Sequence, residues 1–581
     1  MKKFFKTNFG VFILLGVVVF TVYGNALFNG FVWDDETQIL NNGLVHSIAN
    51  LPTFFAGSTF GTGGAGGLGG IYYKPLMSTT FSLIYSIFGQ QAFFFHLVQL
   101  GLHIANAYLV FLLFNKLLRR EISLFLSVIF LVHPFNTESV VYVSAMQDVL
   151  FTFFGLLSFY FLLKGIKLLK EYILVFGLLL FSMLSKETGV VFLFSSLFFS
   201  FIYKRSQFIK SLLAATSVMS IYLLLRLGVA NVPFTTQHLS PITRVDLLTR
   251  LMTLPKIVYF YVSNFVFPYD LAIDQQWIVD KISLGEFYIP LAVMLVFGIL
   301  TFGFLLHLIK VNDKVGVKVY LFFLSILIFG LGAHLQIFPL DMTVADRWFY
   351  LPMIGVLGMV GVLISCVPKF IGISLGSLPK PLPRWNVVLV ILVAFLITAL
   401  SARSVARNFQ WKDGLTLFSN DIKISKNAFD LENNLGVELF RVGRYEEAEE
   451  HFRKSTVLAP YWWSNWNVLG AIYERQSEFD RAIESYKKAV DNGVDSLAFE
   501  NLANLLFLKK GSYESQEFVS NAVLKLPYNP RLWLLLALSE YDLGNKEAAL
   551  IAAKNAYNLS PSDQTYYVYS TILQGKKLDI K

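Results

Sequence analysis

From Met1 to Arg403 the chain alternates long apolar blocks with short polar interruptions. The blocks lie near 9–28, 92–115, 121–134, 146–163, 171–185, 188–203, 211–229, 288–309, 317–337, 347–368 and 386–403. A spanning helix needs about 20 apolar residues, so this pattern predicts about eleven membrane spans, two of them short. Residues 71–90 and 251–268 are also apolar and are expected as helices lying on the outer membrane surface. Beyond Arg403 the pattern changes. Residues 430–565 are polar, helical in period and repetitive: Gly436 and Gly470 stand 34 apart, as do Ala448 and Ala482, and Pro527 and Pro561. A period of about 34 with small residues and a closing proline predicts tetratricopeptide repeats, beginning near 430, 464, 497 and 531. The expected architecture is all-α. A membrane domain covers 1–405, with a first outer loop at 29–91; a connecting segment covers 406–429; an α-solenoid covers 430–581.

Composition supports the membrane reading. Only 15% of the 581 residues are charged and 55% are hydrophobic, with a mean hydropathy of +0.57, whereas soluble chains carry about 25% charged residues. The net charge of +9 is spread over short clusters, a pattern that orients membrane helices and predicts no nucleic-acid partner. Cys366 is the single cysteine, which excludes an intrachain disulfide or a cysteine metal site. The basic, then apolar, start "MKKFFKTNFGVFILLGVVVF" reads as a retained signal anchor.

The clusters fix an expected orientation. Lys2/Lys3/Lys6, Lys116/Arg119/Arg120, Lys164/Lys167/Lys170, Lys204/Arg205/Lys210, Lys310/Lys314/Lys318 and Lys369/Lys380/Arg384 occupy every second connection. The positive-inside rule puts all six in the cytoplasm. The N-terminus is then cytoplasmic and the repeats extracytoplasmic. The remaining connections, "WDDET" (33–37), "HPFNTES" (133–139), "SKETG" (185–189), "PYDLAIDQQW" (268–277) and "PLDMTVADRW" (339–348), fall outside and are expected to line one outward cavity.

Charged groups at membrane level are costly unless they face water or do work. A lone acid pair such as Asp34 and Asp35 is often only a solvated loop or cap. Placed just beyond the first span, it can instead take a proton from an acceptor hydroxyl, one acid as base and the other orienting it. "GSTFGTGGAGGLGG" (57–70) lacks a G-K-[ST] and reads as a flexible loop, not a phosphate-cradling one. His96 and His103, seven apart with Gln99 between, read as polar packing. His133 with Glu138 lacks a third metal ligand. Lys186, Arg226, Arg250 and Arg347 stand near outer helix ends. Singly each suits snorkelling; together they suit a lipid-linked phosphate, which Arg can hold with two hydrogen bonds.

Taken in order, "FVWDD…I…NN", "YYKPL…FG…FHLVQLGLH", "HPFNTESV…D", "LSKETG", "YLLLRL", "FPYDL", "VADRWFYLP" and "RNFQW" carry a family resemblance. With the repeats, residues 20–565 resemble the transmembrane and tetratricopeptide-repeat O-mannosyltransferases, and more broadly the C-type glycosyltransferase fold. The resemblance implies inverting transfer of a sugar, typically mannose, from a polyprenyl-phosphate donor to Ser or Thr hydroxyls of extracytoplasmic proteins. Matched residue by residue, the acidic pair falls on Asp34 and Asp35, and "HP…TE" on His133, Pro134, Thr137 and Glu138. "SKE" falls on Lys186 and Glu187, and "A-E-R…Y-L-P" on Asp346, Arg347, Tyr350 and Pro352, with Asp in place of Glu. Where the family commonly shows G-R-x-D, Ala145–Met146–Gln147–Asp148 stands here.

Asp34 is therefore expected as the general base with Asp35 beside it. Arg347, Lys186, Arg226 and Tyr350 are expected on the donor phosphate, with His133, Glu138, Asp148, Glu187 and Asp346 as further site residues. Membrane lipid surrounds the domain, and the repeats are expected to hold the acceptor polypeptide. Beyond the lipid-linked sugar no cofactor is called for, and no motif specifies a divalent metal. Two rivals remain at this level: a non-catalytic scaffold whose repeats recruit partners, and the same fold glycosylating a lipid or polysaccharide.

Overall fold

The computed structural model describes residues 7–60, 71–234, 240–366 and 384–578. Among them every regular element is helical, and the one β-bridge joins Gln275 to Val344. The chain divides into two compact units, Met1–Asn427 and Ala428–Lys581.

Helices occupy each of the eleven predicted blocks, but fewer of them can cross a bilayer unaided. Among the described residues eight are long and apolar enough: Asn8–Phe28, Ala92–Leu117, Val143–Lys164, Arg205–Val229, Leu284–Lys310, Lys314–Gly332, Asp346–Cys366 and Val388–Gln410. A ninth is counted if Arg120–Val132 and Pro134–Val141, bent by 53°, are taken as one span. Pro134 accounts for the bend, because a proline ring cannot continue the preceding turn. The predicted eleven is thus revised. Leu169–Ser185 has 17 residues and Val190–Tyr203 has 14, about 25 and 21 Å at 1.5 Å per residue. Both fall short of a hydrocarbon core about 30 Å thick. Between them a 3-10 turn, Glu187–Gly189, interrupts the apolar run. The protein is an integral membrane protein: Leu284–Lys310 and Val388–Gln410 are strongly apolar yet only 11% buried within the chain, so lipid is what covers them.

Close packing in the first unit relies on small residues. A Cβ on Gly355 would lie 2.7 Å from the Leu327 backbone nitrogen, and one on Gly358 would meet the Phe323 ring at 2.2 Å. These glycines let Tyr350–Cys366 press against Lys314–Gly332. The stretch read as a connecting segment, 406–429, belongs mostly to this unit. The helix begun at Arg384 runs on to Gln410, and Trp411 is 1% exposed. Arg407 pairs with Asp421 at 2.5 and 2.8 Å, and Asp421 also accepts from the Ile273 backbone at 2.8 Å. Asn408 donates to the Val22 carbonyl at 2.7 Å, fastening this segment to the first span.

The second unit is a run of helix pairs: Phe429–Arg441 with Tyr445–Leu458, Trp463–Arg475 with Phe479–Asn492, Ser496–Lys509 with Ser512–Lys525, and Pro530–Asp542 with Lys546–Leu559, closed by Asp563–Leu573. The repeating glycines do the expected work. Gly436 faces the Phe452 ring and Gly470 the Tyr486 ring, each too close for a Cβ. Pro460, Pro527 and Pro561 follow three of the second helices by two residues.

Gly355→Ala should destabilise the first unit by about 1–3 kcal/mol, the usual penalty of overpacking, whereas Gly16→Ala, with nothing within 4 Å of its Cβ position, should leave stability unchanged. Thermal unfolding of the two purified variants in one detergent separates these outcomes.

Candidate active site

The site begins with a backbone irregularity. Trp33 has φ of +51°, a left-handed conformation that costs a non-glycine residue about 1–3 kcal/mol. Its indole is held in place, stacked on Tyr142 (6.2 Å, 16°) and edge-on to Phe418 (6.5 Å). A helical turn then starts at Asp34 and passes into the π-turn Glu36–Leu40. Successive side chains on such a turn diverge by about 100°, so the two aspartates have different surroundings. Asp35 is fully buried. Its Oδ2 accepts from Val32 N at 3.0 Å, and its Oδ1 from Ser144 N at 2.7 Å and Ser144 Oγ at 2.6 Å. Asp34 instead lines a cavity of about 580 Å³.

That cavity gathers side chains from distant parts of the first unit. Lys186, Glu187, Arg226 and Arg347 line it with Asp34, as do Tyr72, Lys74, His334, Asp341 and Trp348. Three of its cations are already paired. Lys186 Nζ lies 2.6 Å from Asp148 Oδ1. Arg226 Nη1 lies 3.0 Å from Glu187 Oε1, and its Nη2 donates to the Ile71 carbonyl at 2.9 Å. The Arg347 guanidinium pairs with Glu138, whose other oxygen accepts from Arg347 N at 2.8 Å. Lys74 differs. Its ammonium sits over the Tyr72 ring at 4.2 Å and makes no ion pair or hydrogen bond among the described residues. The segment carrying it is well anchored: Tyr72 donates to Asp341 at 2.6 Å, Tyr73 N to Glu187 at 3.1 Å, and Lys74 N to Thr59 Oγ1 at 3.0 Å.

Burial shifts the titrations of the groups outside the spans. It raises Asp34 above the ordinary carboxylate range, an effect that the nearby Arg347 charge only partly offsets. It pushes Asp35 up to about 7 against the pull of the Ser144 and Val32 donors. It lowers Lys74, with Glu187 opposing. His334 is pushed down to about 3, by burial first and then by Lys186.

The other expected site residues fall elsewhere. Tyr350, expected on the donor phosphate, is buried among helices, its hydroxyl 2.8 Å from His103 Nδ1 and accepting from Asn106 at 3.2 Å. His133 donates from Nε2 to the Phe265 carbonyl at 3.0 Å and stacks on that ring. Glu138 and Asp148 sit behind the cavity wall as partners of Arg347 and Lys186, and Asp346 is buried beyond it. Of the glycine-rich stretch, residues 61–70 lie outside the described residues. Among the described residues no group of three or more His, Cys, Asp or Glu side chains could hold a metal ion. Lys74, His334 and Asp341 also line the cavity, although none stands out singly in the sequence. Lys74 carried a usable signal, a cation in an apolar stretch directly before the proline that opens a helix.

Arg347→Ala should cost about 3–5 kcal/mol of stability, because it strands the buried Glu138 carboxylate. Adding Glu138→Ala should recover part of that loss. Unfolding of the single and double variants in detergent measures the coupling; a fully additive pair would mean that the two groups act separately.

Comparisons with known proteins follow the same division of the chain. A tetratricopeptide-repeat family model matches residues 433–496. Protein O-mannosyl-transferase TMTC3 of Homo sapiens is 26% identical over 514 residues, covering 82% of this chain and 54% of the relative. Protein O-mannosyl-transferase Tmtc1 of Drosophila melanogaster is 32% identical over 179 residues, 30% of this chain and 20% of its own. The chain spans about half the length of the first of these relatives. The solved tetratricopeptide-repeat protein YrrB is similar over 27% of this chain and 82% of its own, at 16% identity and a TM-score of 0.25. The chain, with its transmembrane helices and tetratricopeptide repeats, is similar in sequence to the protein O-mannosyl-transferase TMTC3 along about four-fifths of its length.

Proposed function

We propose that the protein is a membrane glycosyltransferase that moves a sugar, mannose by kinship with its relatives, from a polyprenyl phosphate to Ser or Thr hydroxyls of polypeptides. The observation that carries this reading is the cavity itself, which the Asp34 carboxylate lines together with Lys74, Lys186, Arg226 and Arg347. Such a space suits a reaction that removes a proton at one end and releases an anion at the other. Asp34 takes the proton of the acceptor hydroxyl. The hydroxyl oxygen then bonds to the anomeric carbon from the face opposite the phosphate, and the bond from that carbon to the phosphate oxygen breaks. The electron pair leaves with the polyprenyl phosphate. Configuration inverts.

The cations have different parts in this scheme. Lys186, Arg226 and Arg347 are tied to Asp148, Glu187 and Glu138. They keep the wall positive and rigid, ready for the developing negative charge. Lys74, with no acid bonded to it, is the cation that contacts the phosphate directly. Asp35 positions Asp34 through the loop it locks. The six basic clusters support a cytoplasmic N-terminus, with this cavity and the repeats on the opposite side of the membrane. There the repeats present the acceptor polypeptide, as stacked helix pairs are suited to do.

Incubation of the purified protein with polyprenyl-phosphate mannose and a Ser/Thr-rich peptide tests the reading by release of polyprenyl phosphate and mass gain of the peptide; neither event would reject it. Asp34→Asn should lower transfer by about 10²–10⁴-fold, the usual worth of a general base, with the variant still monodisperse. Protonation silences the base, so transfer should rise with pH. Because burial raises Asp34, the acidic limb should sit above the ordinary carboxylate value of about 4. A limb at the ordinary value would remove Asp34 from the role.

Lys74→Gln should weaken donor binding by about ten- to a hundredfold, the worth of one hydrogen bond to a charged group, while Lys256→Gln, on an exposed pair with Glu286, should not. Equal donor affinities for wild type and Lys74→Gln would move the phosphate elsewhere in the cavity.

A further inference from the structure

Two of the side chains that line the cavity, His334 and Trp348, carry no charge and suit a different part of a ligand. His334 is 4% exposed and lines the cavity next to Trp348, on which its ring stacks at 4.8 Å and 22°. Its Nδ1 lies 2.9 Å from the Gly330 carbonyl oxygen. A carbonyl only accepts, so Nδ1 carries the ring proton. In a neutral imidazole Nε2 is then an acceptor. Nε2 makes no hydrogen bond among the described residues. Phosphate oxygens are themselves acceptors and are repelled by such a nitrogen, whereas a hydroxyl donates to it. We infer that His334 and Trp348 form the subsite for the sugar ring of the donor, with His334 Nε2 accepting a hydrogen bond from a sugar hydroxyl.

The inference rests on the proposed transferase reading and adds to it a division of the cavity. The phosphate lies toward Lys74, and the sugar lies against the neutral His334–Trp348 wall. The neutral state is reinforced by the environment, since burial and the Lys186 and Arg347 charges oppose a second proton on the ring. The Trp348 indole supplies an apolar surface for the ring carbons of a sugar, and the stack on His334 fixes its orientation. An acceptor Ser or Thr hydroxyl offers the same hydrogen-bond chemistry as a sugar hydroxyl, so the two sources are separated by measuring donor binding without any peptide present.

The experiment compares two probes, polyprenyl-phosphate mannose and polyprenyl phosphate lacking the sugar, for binding to the purified full-length protein in detergent. His334→Phe keeps an aromatic ring against Trp348 and removes the acceptor. It should weaken the sugar-bearing lipid by about three- to tenfold, the effect of one neutral hydrogen bond, and leave the sugar-free lipid unchanged. His334→Gln, which retains an acceptor, should recover part of the difference. Equal affinities for wild type and His334→Phe, or equal weakening of both lipids, would overturn the subsite while leaving the transferase reading in place. A wild-type protein that binds neither lipid would overturn both.

Discussion

The site depends first on how one buried carboxylate is held. Asp35 accepts three hydrogen bonds, one from its own loop and two from Ser144 at the start of a spanning helix. A carboxylate left without partners in that environment would be strongly unfavourable. The loop therefore has little choice of conformation once Asp35 enters the bundle. Trp33 takes a left-handed backbone angle, the turn starts at Asp34, and Asp34 is delivered to the cavity. One residue anchors so that its neighbour can act.

The same economy governs the basic side chains. Each of the three cations paired in the cavity wall is matched by an acid from another part of the chain: Asp148 with Lys186, Glu187 with Arg226, Glu138 with Arg347. Desolvation offsets much of the attraction in a buried ion pair, so these pairs add less to stability than their number suggests. They also join the segments that line the cavity. Arg226 reaches the Ile71 carbonyl, Glu187 accepts from Tyr73 N, and Tyr72 donates to Asp341. The first loop is thereby fixed to two other connections, and Lys74 is carried into the wall with its ammonium uncommitted.

Much of this was legible along the chain. The 34-residue period located the repeats, because each helix pair needs a small residue where the next ring packs, at Gly436 and Gly470. The apolar blocks located the helices, although hydropathy alone overcounted spans where Lys186–Gly189 breaks the run into two short helices. Asp34, Lys186, Arg226 and Arg347 stood out as charges at membrane level and do meet in one cavity. Tyr350 stood out equally well by motif, yet its hydroxyl is bonded to Asn106 beside His103 and it does not line the cavity. A motif records that a residue occurs, and a buried tyrosine between helices recurs for the same reasons as one in a site. His334 had no signal at all, since a lone histidine after an apolar helix has no predictable partner.

By itself, the sequence determined what depends on local order: helix positions, the repeat period, the asymmetry of basic clusters and the presence of acids and cations in the same set of connections. Those properties follow from neighbours a few residues apart and from the cost of placing charge in lipid. Only the tertiary structure decided which acid faces the cavity, which cations are already neutralised and which histidine nitrogen is open. Each of those depends on a contact across the fold, between residues 35 and 144, 138 and 347, or 187 and 226. Charge is written in the chain one residue at a time, but neutralisation is a property of pairs, and the pairs form only when the helices pack.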